Sequence, residues 1–255
     1  MAERIGLEAD ELTVRYGGAT ALDAVNVRAE PSQITSLIGP NGAGKTTFFN
    51  ACTGVVRPAS GRVRIAGQDV TTEPVERRAH LGVGRTFQRM ELFNSMTVAD
   101  NVAMGREALL AGTRPWKHLR TPRQERADIL DASATAIDTC NLGHLAHRHV
   151  RDLSTGQRRL VELARVVAGG FSLLLLDEPS SGLDQNETSA FGEILTRLVA
   201  DRGIGILLVE HDMGLVMSIS NHVYVLDFGQ LIFSGSSLEA QASTIVREAY
   251  LGVVA

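Results

Sequence analysis

Two long apolar runs dominate the hydrophobic pattern of this sequence. Residues 171–179 (FSLLLLDEP) and 203–212 (GIGILLVEHD) are almost continuously apolar, which is typical of parallel strands buried on both faces. The stretch between them, residues 186–203, has a helical pattern, so the three together predict a β-α-β unit. Shorter strands are predicted at residues 10–16 (DELTVRY) and 24–30 (AVNVRAE).

The middle of the chain has a helical pattern, unlike the strand-rich segments on either side. From about residue 98 to residue 151 the sequence is rich in Ala, Leu, Arg and Glu, and its pattern is helical with a break at residues 112–116 (GTRPW). Residues 222–235 (HVYVLDFGQLIFSG) predict two strands around a glycine turn. The pattern therefore predicts an α/β core with a helical insertion near residues 98–160.

Composition narrows the class of protein. The 255 residues suffice for one sizeable domain. A net charge of −4 gives no electrostatic reason to expect nucleic acid as the main partner. Cys52 and Cys140 are the two cysteines and form no CxxC motif, which fits a reduced cytosolic protein better than a disulfide scaffold.

No segment of the sequence predicts membrane insertion. The first twelve residues are charged and lack the apolar core of a signal peptide. The most apolar window, residues 166–177, is too short and too rich in glycine to span a bilayer. If this protein serves a membrane, we expect another chain to cross it.

A glycine-rich loop carries the first candidate chemistry. Residues 39–46 (GPNGAGKT) fit G-x-x-x-x-G-K-[ST], follow an apolar strand and open a helix. Glycines let the backbone curl so that N–H groups point at phosphate oxygens, and the helix start near Gly44 adds its positive dipole end. We expect Lys45 to reach the β- and γ-phosphates of a nucleotide, and the Thr46 hydroxyl to ligate Mg²⁺.

Two acidic residues end the run of leucines. Asp177 is expected to hold Mg²⁺, through water, and Glu178 to orient and activate the attacking water. A solvated turn is the alternative interpretation of such a pair. It is weakened by the four preceding leucines and by the phosphate loop upstream.

A second phosphate-binding helix tip is predicted at residues 153–167 (LSTGQRRLVELARVV). Ser154 can cap the helix, and Ser154, the Gly156 backbone and the helix start together complement a phosphate. The alternative is simply a capped amphipathic helix. Since one nucleotide already has its own loop, this tip is expected to serve another nucleotide.

With these motifs in place, the sequence resembles the ATP-binding-cassette (ABC) ATPases over nearly its whole length. GPNGAGKTT resembles their Walker A motif, LLLLDEP the Walker B motif, LSTGQ the signature LSGGQ, and SSGLD the D-loop. Gln88 of RTFQ, His211 of VEHDM and Tyr16 of VRYGG stand where the family has its Q-loop glutamine, switch histidine and adenine-stacking aromatic.

The resemblance implies a role for each of these residues. Glu178, His211 and Gln88 are the expected catalytic residues, and Thr46, Gln88 and Asp177 the expected Mg²⁺ contacts. The expected ATP-binding residues are Tyr16, Gly39, Pro40, Asn41, Gly42, Ala43, Gly44, Lys45, Thr46 and Thr47. The signature residues expected at a partner's nucleotide are Leu153, Ser154, Thr155, Gly156 and Gln157, with Asp184 in the D-loop. Thr155 departs from the family's usual glycine, and we expect the shared site to survive with an altered rate.

The resemblance also implies architecture and cofactors. The expected fold is a P-loop NTPase core with an antiparallel β subdomain and an inserted α-helical subdomain, forming a single ABC ATPase domain over residues 1–255. The cofactors are ATP and Mg²⁺. Two such chains, either identical or sister ATPases, would sandwich two ATPs head to tail.

Longer stretches resemble one group within the family. GVGRTFQRMELFNSMTVADNV and the terminal EAYLG look like the ATP-binding subunits of branched-chain amino-acid importers. That resemblance implies transmembrane permease subunits as partners, an extracytoplasmic substrate-binding protein as an indirect partner, and a peripheral position on the cytoplasmic face of the inner membrane. No nucleic-acid partner is expected.

Alternatives remain at the level of the sequence. The chain could serve a urea or amide importer or a lipid exporter, could be a soluble ABC ATPase, or could be a regulatory cassette without activity. The apolar residues Met90, Leu92, Phe93 and Met96 could form a socket for a permease helix or pack locally. A zinc site at His144, His147 and His149 lacks a Cys or carboxylate to complete it.

Overall fold

The structure is a computed structural model that describes residues 6–86, 90–111 and 123–251. Gln88, the expected Q-loop glutamine, and the predicted break at residues 112–116 lie outside these ranges. The strands are β1 (Leu7–Tyr16), β2 (Ala19–Ala29), β3 (Ile34–Ile38), β4 (Ser60–Ile65), β5 (Gln68–Asp69), β6 (Val83–Arg85), β7 (Leu173–Asp177), β8 (Gly205–Val209), β9 (His222–Asp227) and β10 (Gln230–Gly235). The α-helices are α1 (Lys45–Thr53), α2 (Val75–His80), α3 (Val98–Ala111), α4 (Arg123–Thr139), α5 (Thr155–Ala168), α6 (Gln185–Arg202), α7 (Met213–Ile219), α8 (Ser237–Ala242) and α9 (Thr244–Leu251).

The described chain divides into two compact units. Unit 1 comprises residues 1–85, 172–178 and 195–255, and unit 2 comprises residues 86–171 and 179–194. The helical subdomain expected near residues 98–160 falls inside unit 2, and its boundaries stay a prediction.

Unit 1 contains two sheets. The first is antiparallel with the strand order β2-β1-β4-β5, and the second has the order β10-β9-β3-β8-β7-β6. In the second sheet β9, β3, β8, β7 and β6 run parallel, while β10 pairs with β9 antiparallel. The sequence predicted β7-α6-β8 and the β9–β10 hairpin correctly, but β1 and β2 are longer than the short strands expected from it.

The burial of each strand explains whether its sequence is a continuous apolar run. All five residues of β3, β7 and β8 are buried, because these strands lie inside a parallel sheet that is covered on both faces. In β1 the first four residues alternate between buried and half-buried, whereas Leu12, Thr13 and Val14 are buried in succession. One hydrophobic cluster joins both sheets with α1, including Leu12, Phe48 and Leu175.

Unit 2 is built around α3, α4 and α5, which pack on one another. A Cβ added to Gly105 in α3 would lie 1.9 Å from the Arg165 carbonyl oxygen in α5, so the two helix backbones approach closely there. Thr97 caps α3, since its hydroxyl accepts from the Asp100 N–H. Within the described ranges, no helix combines the length and the apolar character that crossing a bilayer requires.

A buried arginine holds the C-terminal end of α1. Arg78 is only 2% exposed, and its Nη1 donates to the carbonyl oxygens of Ala51 and Cys52 at 2.8 and 2.7 Å. Its other nitrogens donate to the carbonyls of Glu73 and Thr71. A cation at this position satisfies the last carbonyls of the helix and opposes its negative dipole end.

We expect Arg78→Met to lower the free energy of unfolding by about 3 kcal/mol, because several buried carbonyl oxygens lose their donor. Thermal and urea unfolding would measure the change. Arg77→Met is the matched control, since Arg77 is the exposed neighbour on the same helix. Equal stability of the two variants would contradict this account of Arg78.

Candidate active site

The glycine-rich loop between β3 and α1 leaves no room for side chains at two of its positions. Gly39 and Gly44 have φ angles of 152° and 106°, in the region that favours glycine. A Cβ at Gly39 would lie 2.1 Å from the Leu226 carbonyl oxygen, and one at Gly44 would lie 2.8 Å from the Ala21 carbonyl oxygen. The loop is therefore seated directly on the backbones of β9 and β2.

Lys45 begins α1 and is folded back over the loop. Its Nζ donates to the carbonyl oxygens of Gly39 and Pro40 at 2.6 and 3.0 Å. Burial lowers the pKa of Lys45, while the charges of Glu178 and Asp177 oppose that shift. The ammonium thus lies among the loop carbonyls, with both candidate carboxylates close enough to influence its charge.

The order of the parallel strands brings the other candidate residues to the same sheet edge. β3, β8 and β7 are neighbours, and Asp177 pairs in register with Val209. The carboxyl ends of parallel strands are where ligands bind in open α/β sheets. The loop after β3, His211 after β8 and Glu178 after β7 therefore lie along one edge.

Glu178 and His211 contact each other there. Nε2 of His211 lies 2.7 Å from Oε1 of Glu178, although the residues are 33 positions apart in the chain. Because a carboxylate can only accept, the imidazole N–H donates. Glu178 also has a φ of 49°, which is uncommon for a residue with a side chain. Such backbone conformations are concentrated at functional sites.

Asp177, by contrast, is buried and paired with an arginine. Nη2 of Arg85 lies 3.1 Å from Oδ2 of Asp177, and both side chains are almost wholly buried. Burial raises the pKa of Asp177 against the opposing effect of the Arg85 charge. Arg85 is the first residue of the RTFQ stretch, and the sequence alone predicts no role for it. The sequence holds no signal for this pair, because only the structure shows that β6 and β7 are neighbours.

Two further candidate ATP-binding residues lie in α1 and at the end of β1. Thr46 and Tyr16 are exposed, the latter by 50% of its surface, so a stacking partner has access to the ring. Among the described residues no group of three His, Cys, Asp or Glu side chains is placed to hold a metal ion. The zinc interpretation of His144, His147 and His149 gains no support from that geometry.

The signature and D-loop residues meet within unit 2. Ser154 caps α5 in a capping box, with its hydroxyl accepting from the Gln157 N–H and the Gln157 side chain accepting from the Ser154 N–H. Asp184 and Glu187 cap the start of α6 in the same reciprocal way. Both helix starts are thus fixed by their own first-turn side chains.

Close packing joins these two helix starts. A Cβ at Gly156 would lie 2.4 Å from Oε1 of Glu187, and one at Gly182 would lie 3.3 Å from the Thr155 methyl group. Thr155, which departs from the family pattern, therefore has its methyl group beside the glycine of SSGLD. The roles assigned to Leu153, Ser154, Gly156 and Asp184 in nucleotide binding stay predictions.

Comparison with known proteins places this geometry in a family. A family profile described as "ABC transporter" matches residues 22–181. The chain is 37% identical over 248 residues to the high-affinity branched-chain amino acid transport ATP-binding protein BraF of Pseudomonas aeruginosa, covering 96% of this chain and 97% of that protein. It is 38% identical over 248 residues to the corresponding protein LivG of Escherichia coli, with the same coverage.

Solved structures give the same result. A nucleotide-free ATP-binding cassette from an ABC transporter superposes with a TM-score of 0.84 at 28% identity, covering 97% of this chain and 99% of that one. An ATP-binding cassette solved in its ADP conformation gives a TM-score of 0.85 at 29% identity, covering 98% and 100%. The predicted P-loop fold with an antiparallel β subdomain and a helical insertion is confirmed.

This chain therefore belongs to the ABC transporter family, and it is an ATPase that binds nucleotide. ATP-binding subunits of ABC transport systems form dimers and act together with membrane permease subunits.

We expect Gly44→Ala to lower the free energy of unfolding by about 2 kcal/mol or more, because the new Cβ meets a strand backbone in a strained conformation. The variant should also lose nucleotide binding, because the loop can no longer pack against the backbones of β2 and β9. Thermal unfolding and equilibrium titration with ADP would measure both. Gly18→Ala is the control, since a Cβ there has open space. An unchanged Gly44→Ala protein would refute the seating of the loop.

Proposed function

We propose that this chain is the ATP-hydrolysing subunit of an importer for branched-chain or related amino acids, acting at the cytoplasmic face of the membrane. The observation that carries the proposal is the identity of 37–38% to BraF and LivG, which extends over 96% of this chain and 97% of each relative. A match over whole lengths favours a common role more strongly than a shared ATP-binding motif does. On this proposal, residues 1–255 form one cassette with a helical subdomain near residues 98–160.

Catalysis is proposed to take place at the sheet edge of unit 1. Glu178 accepts a proton from the water that attacks the γ-phosphorus, and the bond to the β-γ bridging oxygen breaks as the new P–O bond forms. His211 donates to the Glu178 carboxylate at 2.7 Å and so holds the base in one orientation. Lys45, already placed over the loop carbonyls, binds the β- and γ-phosphates, and Gln88 contacts the metal or the water.

The residues present fit Mg²⁺. The Thr46 hydroxyl and the Asp177 carboxylate are hard oxygen donors of the kind that this ion prefers. Mg²⁺ usually takes few protein ligands and completes its shell with water and substrate phosphates. When bound, the ion neutralises charge that develops on the phosphates.

Binding of ATP is also proposed to close a dimer. Ser154, Thr155, Gly156 and Gln157 would face the nucleotide held by the partner chain, so each ATP is shared by two subunits. The start of α5 has exposed Ser154 and Thr155 and is held by its capping box, which favours that role because it can approach a phosphate without refolding. Tyr16, half exposed, is proposed to stack on adenine.

The segment after the Q-loop is proposed to contact the permease. Phe93 is 49% exposed, yet its backbone is fixed, since its N–H donates to the buried Asn101 side chain and its carbonyl accepts from it. Arg165 Nη1 donates to the Glu91 carbonyl oxygen at 2.6 Å. An exposed aromatic ring on a rigid loop is a suitable anchor for a protein partner.

We expect Glu178→Gln to reduce ATP turnover by about 10²–10⁴-fold, the range for loss of a general base. Affinity for ATP should remain, because the substitution keeps the shape and leaves the phosphate contacts intact. Under ATP and Mg²⁺ the variant should elute as a dimer in size-exclusion chromatography, where the parent protein is mostly monomeric. Glu76→Gln, an exposed change in the same unit, is the control.

Adding Ser154→Arg to Glu178→Gln should abolish that dimer, because a bulky cation would occupy the partner's phosphate site. A Glu178→Gln protein that hydrolyses ATP at the parent rate would reject Glu178 as the base. A double variant that still dimerises would reject the shared site.

We expect Phe93→Asp to prevent co-purification with the permease subunits, since a charge would replace the apolar anchor. ATP binding should be unaffected, because Phe93 is not among the residues proposed to contact the nucleotide. Leu130→Asp is the matched control, as Leu130 is 59% exposed on α4 of the same unit. Equal co-purification of the two variants would argue against this surface.

A further inference from the structure

We propose that Arg85 is a positioning residue that fixes Asp177 and the first turn of α1 relative to each other for metal binding. The inference rests on the proposed Mg²⁺ site, because Thr46 and Asp177 are its proposed protein contacts. It adds a residue to which neither the family motifs nor the sequence patterns gave a role.

The guanidinium of Arg85 joins two elements at once. On one side its Nη2 lies 3.1 Å from Oδ2 of Asp177 at the end of β7. On the other side its Nη1 donates to Oδ1 of Asn50 at 2.7 Å and to Oγ1 of Thr53 at 3.1 Å, both in α1. The guanidinium carbon also lies 5.6 Å from the centre of the Phe49 ring, within cation-π range.

These two elements carry the proposed metal contacts. Thr46 is the second residue of α1, and Asp177 is the last residue of β7. Because α1 is one continuous helix, the bonds from Arg85 to Asn50 and Thr53 fix its first turn relative to Asp177, a link that Arg78 does not make. By binding Asn50, Thr53 and Asp177 together, Arg85 sets the separation between the hydroxyl and the carboxylate.

The strand register explains how one side chain reaches all three partners. β6 runs parallel to β7, with Arg85 opposite Leu175. Asp177 lies two residues further along, on the same face as Leu175. The Arg85 side chain therefore extends past the end of its own short strand toward the edge where Asp177 and α1 meet.

Only arginine has the geometry for this task. Its planar fork offers several N–H donors in fixed directions, so one carboxylate and two further acceptors can be bound at once. Lysine has a point charge on a flexible stem, which cannot fix the three partners in one plane. Residues that orient a metal ligand without touching the metal typically change metal affinity about 10- to 100-fold when they are replaced.

The experiment separates this role from plain structural support. Equilibrium titration with a non-hydrolysable ATP analogue is carried out in excess Mg²⁺ and in EDTA, and the ratio of the two affinities is the metal-dependent gain. We expect Arg85→Met to reduce that gain by about 10- to 100-fold, with little change in EDTA. Arg78→Met is the matched control. It removes another buried arginine bound to α1 and should lower thermal stability while leaving the gain at the parent value.

A double-variant cycle tests whether Arg85 acts through Asp177. Asp177→Asn alone should reduce the metal-dependent gain, and adding Arg85→Met should reduce it no further. Because the neutral amide removes the buried charge that Arg85→Met leaves behind, the double variant should also unfold at a higher temperature than Arg85→Met alone. If Arg85→Met fails to fold, Arg85→Lys replaces it, with a reduced gain expected.

The metal role of Asp177 and the positioning role of Arg85 can fail independently in this experiment. If Asp177→Asn keeps the parent gain, the proposed metal role of Asp177 is wrong. If Asp177→Asn lowers the gain while Arg85→Met or Arg85→Lys retains it, the positioning role is overturned and the metal site stands. A loss of affinity for Arg85→Met that is equal in Mg²⁺ and in EDTA, or additive with Asp177→Asn, assigns Arg85 to structural support alone.

Discussion

The seating of the phosphate loop on the strand backbones is the constraint on which unit 1 depends. At Gly39 and Gly44 a β-carbon would lie within 2.1 and 2.8 Å of carbonyl oxygens in β9 and β2. The loop can therefore take its course only if both sheets keep their places, and both belong to one hydrophobic cluster with α1. The core of unit 1 thus serves to position backbone N–H groups as well as to stabilise the fold.

The same arrangement concentrates charge at one sheet edge. Lys45, Arg85, Asp177 and Glu178 all lie where parallel strands end, and three of these side chains are largely buried. Burying a charge is unfavourable unless an opposite charge or hydrogen bonds compensate it. Here Arg85 compensates Asp177, and His211 binds Glu178. These pairs hold the carboxylates of Asp177 and Glu178 in defined positions at the sheet edge.

In unit 2 the signature and D-loop residues are held in place by contacts at the starts of α5 and α6. Ser154 with Gln157, and Asp184 with Glu187, satisfy the first N–H groups of α5 and α6 through reciprocal side-chain bonds. Gly156 permits the Glu187 carboxylate to approach α5. The signature and the D-loop are therefore one packed structure, and a change in either is expected to be felt by the other. Thr155 is accommodated there because its methyl group lies beside a glycine.

The sequence alone determined the contiguous features of this protein. The phosphate loop, the acidic end of β7 and the capped start of α5 are each specified within a dozen residues, so their spacing is visible without a fold. Buried parallel strands were likewise recognisable, since burial on both faces removes alternation. What only the tertiary structure decided are contacts between distant positions. His211 meets Glu178 across 33 residues, and Arg85 meets Asp177 across 92. No sequence pattern distinguishes Arg78 from other charged residues, yet it is buried against α1. No local pattern encodes such pairs, because strand order and register, not chain distance, determine which side chains meet.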